Sequence, residues 1–215
     1  MRTIDINGMT NFDKVRGETN EWYWAMDYTD GDLYEAEELF RKEHQIGSNR
    51  LYLVHYPDGK VYEPVPPVDG QYLGNPVVCD KNGKVALLVI NFIERVISIR
   101  QFLYKEEKVQ EVVRLPLSAV KDCYNLMLHI SPLSLARQAN DGIFELIWPE
   151  QVSFEINERE TLNFRDGDKL YFNLWYEDPD YREETLVRSL PDGKMIDRFS
   201  GDVFIMPNGE RWLLK

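Results

Sequence analysis

The sequence predicts a mainly β protein of antiparallel strands in one compact domain, with one helix near the N-terminus. Short apolar stretches separated by turn signals recur along residues 51–215, as in all-β architectures. A single segment before them has the apolar spacing of a helix. Hydrophobic residues make up 43% of the chain and aromatic residues 13%, which argues against disorder.

The one helix is predicted over residues 32–45. Asp32 and Glu35 have the spacing of a capping box, and Gly47 is the expected stop. The apolar residues that follow the cap fall on one helical face: Leu33, Ala36, Leu39 and Phe40. We expect residues 1–50, the N-terminal strand or strands plus this helix, to pack on an all-β body of residues 51–215.

The strands after the helix are predicted as successive hairpins. Pro57-Asp58-Gly59-Lys60 separates two apolar stretches, and Asn82-Gly83 is a pair that suits a tight turn because both residues tolerate positive φ. The predicted strands are 51–56, 61–65, 77–79, 85–92, 96–104, 109–115, 124–130, 134–138, 143–148, 152–156, 169–176, 185–190, 195–199, 203–206 and 211–214.

Two stretches of the chain resemble each other. Each begins with a Pro-Asp-Gly-Lys turn, at residues 57–60 and 191–194, and each continues through two short strands and an Asn-Gly pair to a Leu-Leu pair. The two turns are 134 residues apart, and one third of that distance is close to the roughly 40–45 residues of a propeller blade.

This spacing predicts a small β-propeller-like arrangement of about four blades. Intermediate turns would fall near residues 102 and 147, where the sequence has no Pro-Asp-Gly. The C-terminal stretch 203–214 would complete one blade with the hairpin of residues 51–65. A β-sandwich or a barrel is the alternative, since common turns alone make any two hairpins look alike.

Charge excludes several classes of partner. The chain has 37 acidic and 25 basic residues, a formal net charge of −12, and its basic residues are not clustered. Phosphate backbones and anionic membranes both require clustered Lys and Arg. We therefore expect neither nucleic acid nor membrane binding, whereas a protein partner with a basic surface would be attracted.

Cysteine content and the lack of long apolar runs predict a cytoplasmic location. Cys79 and Cys123 form no disulfide framework and no CxxC pair. The longest apolar run, residues 85–90, is too short to cross a bilayer. The N-terminus has no apolar core of a secretion signal, although a mature form from which a signal had been removed would look similar.

Signatures of common catalytic and cofactor sites are missing from the sequence. His44, His55 and His129 are scattered, and none has metal-ligand spacing. There is no GxSxG elbow and no phosphate-binding glycine loop. The sequence therefore predicts no metal and no cofactor, and it favours a protein without enzyme activity.

Two acidic clusters have the residue types of a calcium site. One precedes the helix and the other occupies a single loop, and carboxylates of this density are ligands that calcium prefers. The first does not fit an EF-hand loop, and charge runs are usually solvated faces. The clusters are Asp27, Asp30, Asp32 and Glu35, and Glu177, Asp178, Asp180, Glu183 and Glu184.

The candidate binding residues are tryptophans together with aspartates of these clusters. Trp22 and Trp24 share one face of a strand; exposed, they would form a platform for a sugar ring or an apolar segment, and buried, they would anchor the strand to the core. The full candidate set is Trp22, Trp24, Asp27, Asp30, Trp175, Asp178 and Asp180.

Two functional hypotheses follow from this pattern. The first is a non-catalytic binding protein that engages a protein partner through an acidic and aromatic surface. The second is a carbohydrate-binding or carbohydrate-hydrolysing β protein that uses carboxylates beside a tryptophan platform, for which the sequence cannot supply the carboxylate separation.

Overall fold

The computed structural model describes residues 1–17, 19–28, 31–206 and 210–215. Strands account for 48% and helices for 6% of these residues, which confirms the mainly β fold class. In chain order, the strands are β1 Asp13–Lys14, β2 Arg16–Gly17, β3 Trp22–Met26, β4 Leu51–His55, β5 Val61–Tyr62, β6 Gln71–Leu73, β7 Val77–Val78, β8 Val85–Asn91, β9 Val96–Leu103, β10 Lys108–Pro116, β11 Leu126–His129, β12 Ser134–Gln138, β13 Ile143–Trp148, β14 Val152–Glu155, β15 Glu160–Asp166, β16 Lys169–Tyr176, β17 Arg182–Ser189, β18 Met195–Ser200, β19 Asp202–Ile205 and β20 Arg211–Leu214.

The strands form successive, mostly antiparallel sheets. Within the described residues, four sheets have four or more strands, which confirms the prediction of about four propeller-like blades. Their orders are β1-β3-β4-β5, β10-β9-β8-β7-β2 with β6 also paired to β8, β11-β12-β13-β14, and β15-β16-β17-β18. β2 pairs with β7 in parallel.

The C-terminal hairpin differs from its predicted place. β1 and β3 complete the sheet that contains β4 and β5, and β19 and β20 form a two-stranded sheet of their own. Trp24 stands opposite both Asp13 and Leu53, so the N-terminal strands already supply the hydrogen bonds that β4 needs on that side. The Asn-Gly turn expected at residues 208–209 lies outside the described residues.

The helix α1 runs from Leu33 to Arg41. Its predicted capping box is present, because the Asp32 carboxylate accepts the backbone N–H groups of Tyr34 and Glu35, and the Glu35 carboxylate accepts that of Asp32. Within the described residues, no helix is long and apolar enough to cross a membrane.

The chain divides into two compact units, Met1–Leu128 and His129–Lys215. The first has a buried cluster centred on β3, β4 and β8, and the second has a cluster centred on β13 and β16. The predicted boundary near residue 50 stays a prediction, although β3 and β4 lie on either side of it and share a sheet.

The two Pro-Asp-Gly-Lys turns have the same local structure. In the first, the N–H of Gly59 donates to the His55 carbonyl at 2.7 Å. In the second, the N–H of Gly193 donates to the Ser189 carbonyl at 2.8 Å. Each turn joins the third and fourth strands of its sheet, β4 to β5 and β17 to β18. The turn that opens the repeat read from the sequence is therefore repeated in the structure.

Gly193 gives a test of this turn. A Cβ at this position would lie 2.2 Å from Cγ of Phe154, and φ is +67°. Gly167 also has a positive φ, +57°, but a Cβ there meets nothing within 4 Å. We expect Gly193→Ala to lower the free energy of unfolding by about 1–3 kcal/mol more than Gly167→Ala, measured by chemical denaturation. Equal losses would mean that backbone strain alone requires glycine.

Candidate functional site

Trp22 lies in the core of the first unit. Its side chain is 0% exposed, and the indole N–H donates to the Gly83 carbonyl at 2.9 Å. Its ring centroid is 4.7 Å from that of His55 and 5.6 Å from that of Tyr104. A buried tryptophan whose N–H has a partner is a packing residue. No ligand can stack on it in this arrangement.

Trp24 is also packed into the core and is only 9% exposed. It belongs to the same buried cluster as Trp22 and Leu53, because both indoles project from the same face of β3. The two tryptophans therefore form no exposed platform, and the alternative interpretation, that they anchor the N-terminal strand, is the one observed. The edge of Trp24 still reaches the wall of a pocket.

Of the two candidate aspartates that follow β3, the structure describes only Asp27. Asp27 is half-buried, and its backbone N–H donates to the Arg50 carbonyl at 2.9 Å, next to β4. It lines a separate depression beside Arg50 and Tyr52. Asp30 lies outside the described residues.

The first unit contains a pocket of about 350 Å³ beside the start of α1. We call it the α1 pocket. Its apolar floor includes Leu33, Leu73 and Leu126. The charged side chains on its wall are Asp13, Lys14, Arg16 and Asp32, and the aromatic and amide side chains are Trp24, Tyr28, Tyr34, Asn75 and Asn125.

Short strands and the helix cap position this wall. β1 places Asp13 opposite Trp24, and the cap of α1 holds Asp32 through two backbone N–H groups. Tyr28 follows β3. Burial, followed by the carboxylates of Asp13 and Asp32, raises the pKa of the Tyr28 phenol. The phenol therefore stays protonated and retains a donor.

Cys123 also lines this pocket and is a buried, unreactive thiol. Burial, followed by the nearby Glu37 carboxylate, raises its pKa far above the ordinary value. Its backbone N–H donates to the same Glu37 at 2.6 Å. A thiol that stays protonated is a poor nucleophile. Cys79 is half-buried, and burial raises its pKa as well.

Within the part of the chain that the structure describes, the histidines form no metal-binding group with the acidic clusters. His55 is buried, stacks on Tyr104, and places Nδ1 3.0 Å from the Asp58 carboxylate of the first Pro-Asp-Gly-Lys turn. His129 is buried and His44 is exposed. Among the described residues, no group of three or more His, Cys, Asp and Glu is placed to hold a metal ion.

The second unit presents exposed aromatic side chains beside carboxylates. Trp175 is 48% exposed at the end of β16 and stands opposite Glu183. Tyr181 is 67% exposed, and its hydroxyl donates to the Glu183 carboxylate. Asp202 completes this group, which we call the acidic–aromatic edge: Trp175, Tyr181, Glu183 and Asp202.

Backbone contacts fix Asp202 beside Glu183. The N–H of Gly201 donates to the Glu183 carbonyl at 2.8 Å, and the Thr185 hydroxyl donates to the Gly201 carbonyl at 2.9 Å. Burial and the Glu183 charge raise the pKa of Asp202, with burial the larger cause. One oxygen of Asp202 is shielded from solvent and has no hydrogen-bond partner among the described residues.

The other two candidates of this cluster, Asp178 and Asp180, are exposed on the loop between β16 and β17. The Asp178 carbonyl accepts a hydrogen bond from Arg182 at 3.2 Å. Their loop connects the strands that carry Trp175 and Glu183, so the structure brings the predicted acidic and aromatic residues of this region to one end of a sheet.

An exposed apolar hairpin continues from the acidic–aromatic edge. Phe204 and Trp212 stand opposite each other in β19 and β20, so they share a face, and Leu214 lies on that face too. All three are exposed. The opposite face of the hairpin buries Val203 against Tyr171 and Val187.

The sequence did not identify Asp13, Phe204 or Trp212 as site residues. For Phe204 and Trp212 the signal was a run of apolar residues in two strands near the C-terminus, which does not reveal which side chains stay exposed. For Asp13 the sequence carries no such signal. Asp13 reaches the pocket because β1 pairs with β3, and no local sequence pattern specifies the register of that pairing.

Comparison with known proteins assigns the chain to no family. No family model matches the chain, and no curated protein matches it. Among solved structures, a candidate 6-phosphogluconolactonase from Bacteroides uniformis aligns over 91% of this chain and 74% of its own, with 10% identity and a TM-score of 0.28. A likeness at this level carries no argument about fold or function.

Proposed function

We propose that this chain is a non-catalytic binding protein whose acidic–aromatic edge engages a basic surface of a protein partner. The observation that supports this most directly is the exposure of Trp175 and Tyr181 beside Glu183. Tryptophan and tyrosine are the residues most enriched among those that dominate binding energy. A cytoplasmic setting without cofactor belongs to the same proposal.

Charge supports a basic partner. Residues 129–215 contain 17 acidic and 10 basic side chains. The Asp202 carboxylate lies beside Glu183, and burial, followed by repulsion from the Glu183 charge, raises the Asp202 pKa. A cationic side chain of a partner would relieve that repulsion, and it would accelerate association at low ionic strength.

The apolar hairpin supports a protein rather than a small solute. Phe204, Trp212 and Leu214 extend the exposed aromatic surface beyond the carboxylates. Contiguous exposed apolar surface with a polar rim is typical of protein interaction sites. The carbohydrate alternative stays a prediction, but it loses its platform because Trp22 and Trp24 are buried.

Affinity capture from a native lysate tests the proposal with a double variant, Trp175→Ala with Tyr181→Ala. We expect the wild-type protein to retain a reproducible basic protein, and the double variant to retain it at least about tenfold less, because the loss of two anchor residues typically costs more than 1.4 kcal/mol. High salt should release the partner.

Tyr56→Ala is the matched control, since this tyrosine is 61% exposed but lies in the first unit. It should leave capture unchanged. Equal retention by the double variant, insensitivity to salt, or capture of no basic protein would each contradict the proposal. Circular dichroism of all variants establishes that they fold.

A further inference from the structure

The wall of the α1 pocket carries balanced charge. Asp13 and Asp32 contribute two carboxylates, and Lys14 and Arg16 contribute two cations. The chain as a whole is strongly acidic, so this balance is local to the pocket. Because the four charges balance, the wall has no net attraction for a cation or an anion, and its lining favours an uncharged polar ligand.

The same wall offers hydrogen-bond acceptors and donors side by side. Asp32 uses one carboxylate oxygen, Oδ1, to accept both capping N–H groups, at 2.8 and 2.9 Å, so its second oxygen is not used by the cap. Asp13 supplies further acceptors, and Lys14 and Arg16 supply donors. The protonated Tyr28 hydroxyl can act as both. Groups that donate and accept at once, such as hydroxyls, match this set.

Apolar surface and size complete the description. Leu33, Leu73 and Leu126 line the floor, and the edge of Trp24 lines the wall. A saccharide ring has C–H faces that pack on apolar and aromatic surface while its hydroxyls bond outward. The volume of about 350 Å³ lies at the small end of the range for small-molecule sites.

We infer that the α1 pocket binds a neutral monosaccharide or disaccharide. Recognition rests on hydrogen bonds from the sugar hydroxyls to Asp13, Asp32 and Tyr28, with the ring seated on the apolar floor. This site differs from a platform of two stacked tryptophans, since Trp22 takes no part in it. The inference is independent of the proposed protein-binding edge, which lies in the second unit.

Saturation-transfer NMR with neutral sugars, followed by titration calorimetry, tests the inference on the full chain. The probes are glucose, galactose, mannose, N-acetylglucosamine, maltose and cellobiose. We expect at least one to bind, and we expect Tyr28→Phe and Asp13→Ala each to weaken it about fivefold or more, as removal of a hydrogen bond to a ligand does. Both side chains are at the surface, so both variants should fold.

Matched controls separate the pocket from general effects. Tyr56→Phe and Asp69→Ala change the same residue types at exposed positions outside the pocket, and they should leave sugar affinity unchanged. The double variant Trp175→Ala with Tyr181→Ala should also bind sugar normally, which distinguishes failure here from failure of the proposed function.

Charged analogues test the balance of the wall. Glucosamine and glucuronic acid should bind more weakly than their neutral counterparts. Tighter binding of either one, no binding by any neutral sugar, or unchanged affinity in Tyr28→Phe and Asp13→Ala would overturn the inference.

Discussion

Replacing Trp22 by alanine is expected to lower the free energy of unfolding by about 3–5 kcal/mol, the usual cost of deleting a large buried aromatic side chain. The indole is 0% exposed and packs against the rings of His55, Phe102 and Tyr104. The cavity left behind cannot collapse easily, because strands of two sheets contribute its walls. Guanidinium denaturation followed by circular dichroism measures the loss.

Trp22→Phe separates packing from hydrogen bonding. It retains most of the ring but leaves the Gly83 carbonyl without the indole N–H that it accepts at 2.9 Å. Gly83 belongs to the turn between β7 and β8, so this bond ties β3 to the second sheet. We expect a loss of about 1–3 kcal/mol from the unpaired carbonyl.

Trp175→Ala is the control for both variants. This tryptophan is half exposed, so its removal should change stability by about 0.5 kcal/mol or less. Similar losses for Trp22→Ala and Trp175→Ala would contradict the assignment of Trp22 to the core and of Trp175 to a binding surface.

The start of α1 was predictable because its signal is local. Asp32 and Glu35 act within one turn of helix, and both observed capping contacts follow from their spacing. The end was not. The helix stops at Arg41, because Glu43 adopts a positive φ of 61° and His44 donates its N–H back to the Leu39 carbonyl. Glycine usually occupies such a position, so the sequence pointed to Gly47.

The blade spacing was predictable from two turns, although two others could not be seen. Turns expected near residues 102 and 147 are present as the connections of residues 104–107 and 149–151, which join β9 to β10 and β13 to β14. Their residue types differ from Pro-Asp-Gly-Lys, because several turn types can close a hairpin. The four turns therefore occupy the same place in the repeat, but they are built from different residue types.

β15 was missed for a different physical reason. Five of its seven residues are polar, and a register shift between Leu162 and Phe164 interrupts the alternation of apolar side chains. A bulge breaks the two-residue period on which strand prediction depends. The charges of this strand have a structural role that only the tertiary fold reveals.

Glu160, the first residue of β15, should be among the most costly single residues to replace in the second unit. Its carboxylate is buried and accepts two parallel hydrogen bonds from Arg188, both 2.7 Å. It also accepts the N–H of Asn157 at 2.9 Å. Glu160→Ala would leave the largely buried guanidinium without its counter-charge, at a cost of about 3–5 kcal/mol.

Glu150→Ala is the matched control, because Glu150 also forms a two-point pair with an arginine, Arg165, at 2.8 and 2.9 Å. The Glu150 side chain is 44% exposed, against 2% for Glu160. Water screens the Glu150 carboxylate, and Arg165, whose side chain is 11% exposed, keeps its hydrogen bond to the Gly167 carbonyl at 2.8 Å, so the loss should be smaller, about 1 kcal/mol. Equal losses in chemical denaturation would show that burial does not set the contribution of these pairs.

A double replacement distinguishes the unpaired charge from lost local contacts. Glu160→Leu together with Arg188→Met replaces the pair by apolar side chains of similar size, which is often neutral in other proteins. We expect it to recover at least half of the stability lost in Glu160→Ala. The remaining deficit would come from the Asn157 N–H and from the Gly193 carbonyl, which Arg188 holds at 2.7 Å. A double variant as unstable as Glu160→Ala would mean that the whole loss comes from those backbone contacts. These contacts would then be what couples β15 to the second Pro-Asp-Gly-Lys turn.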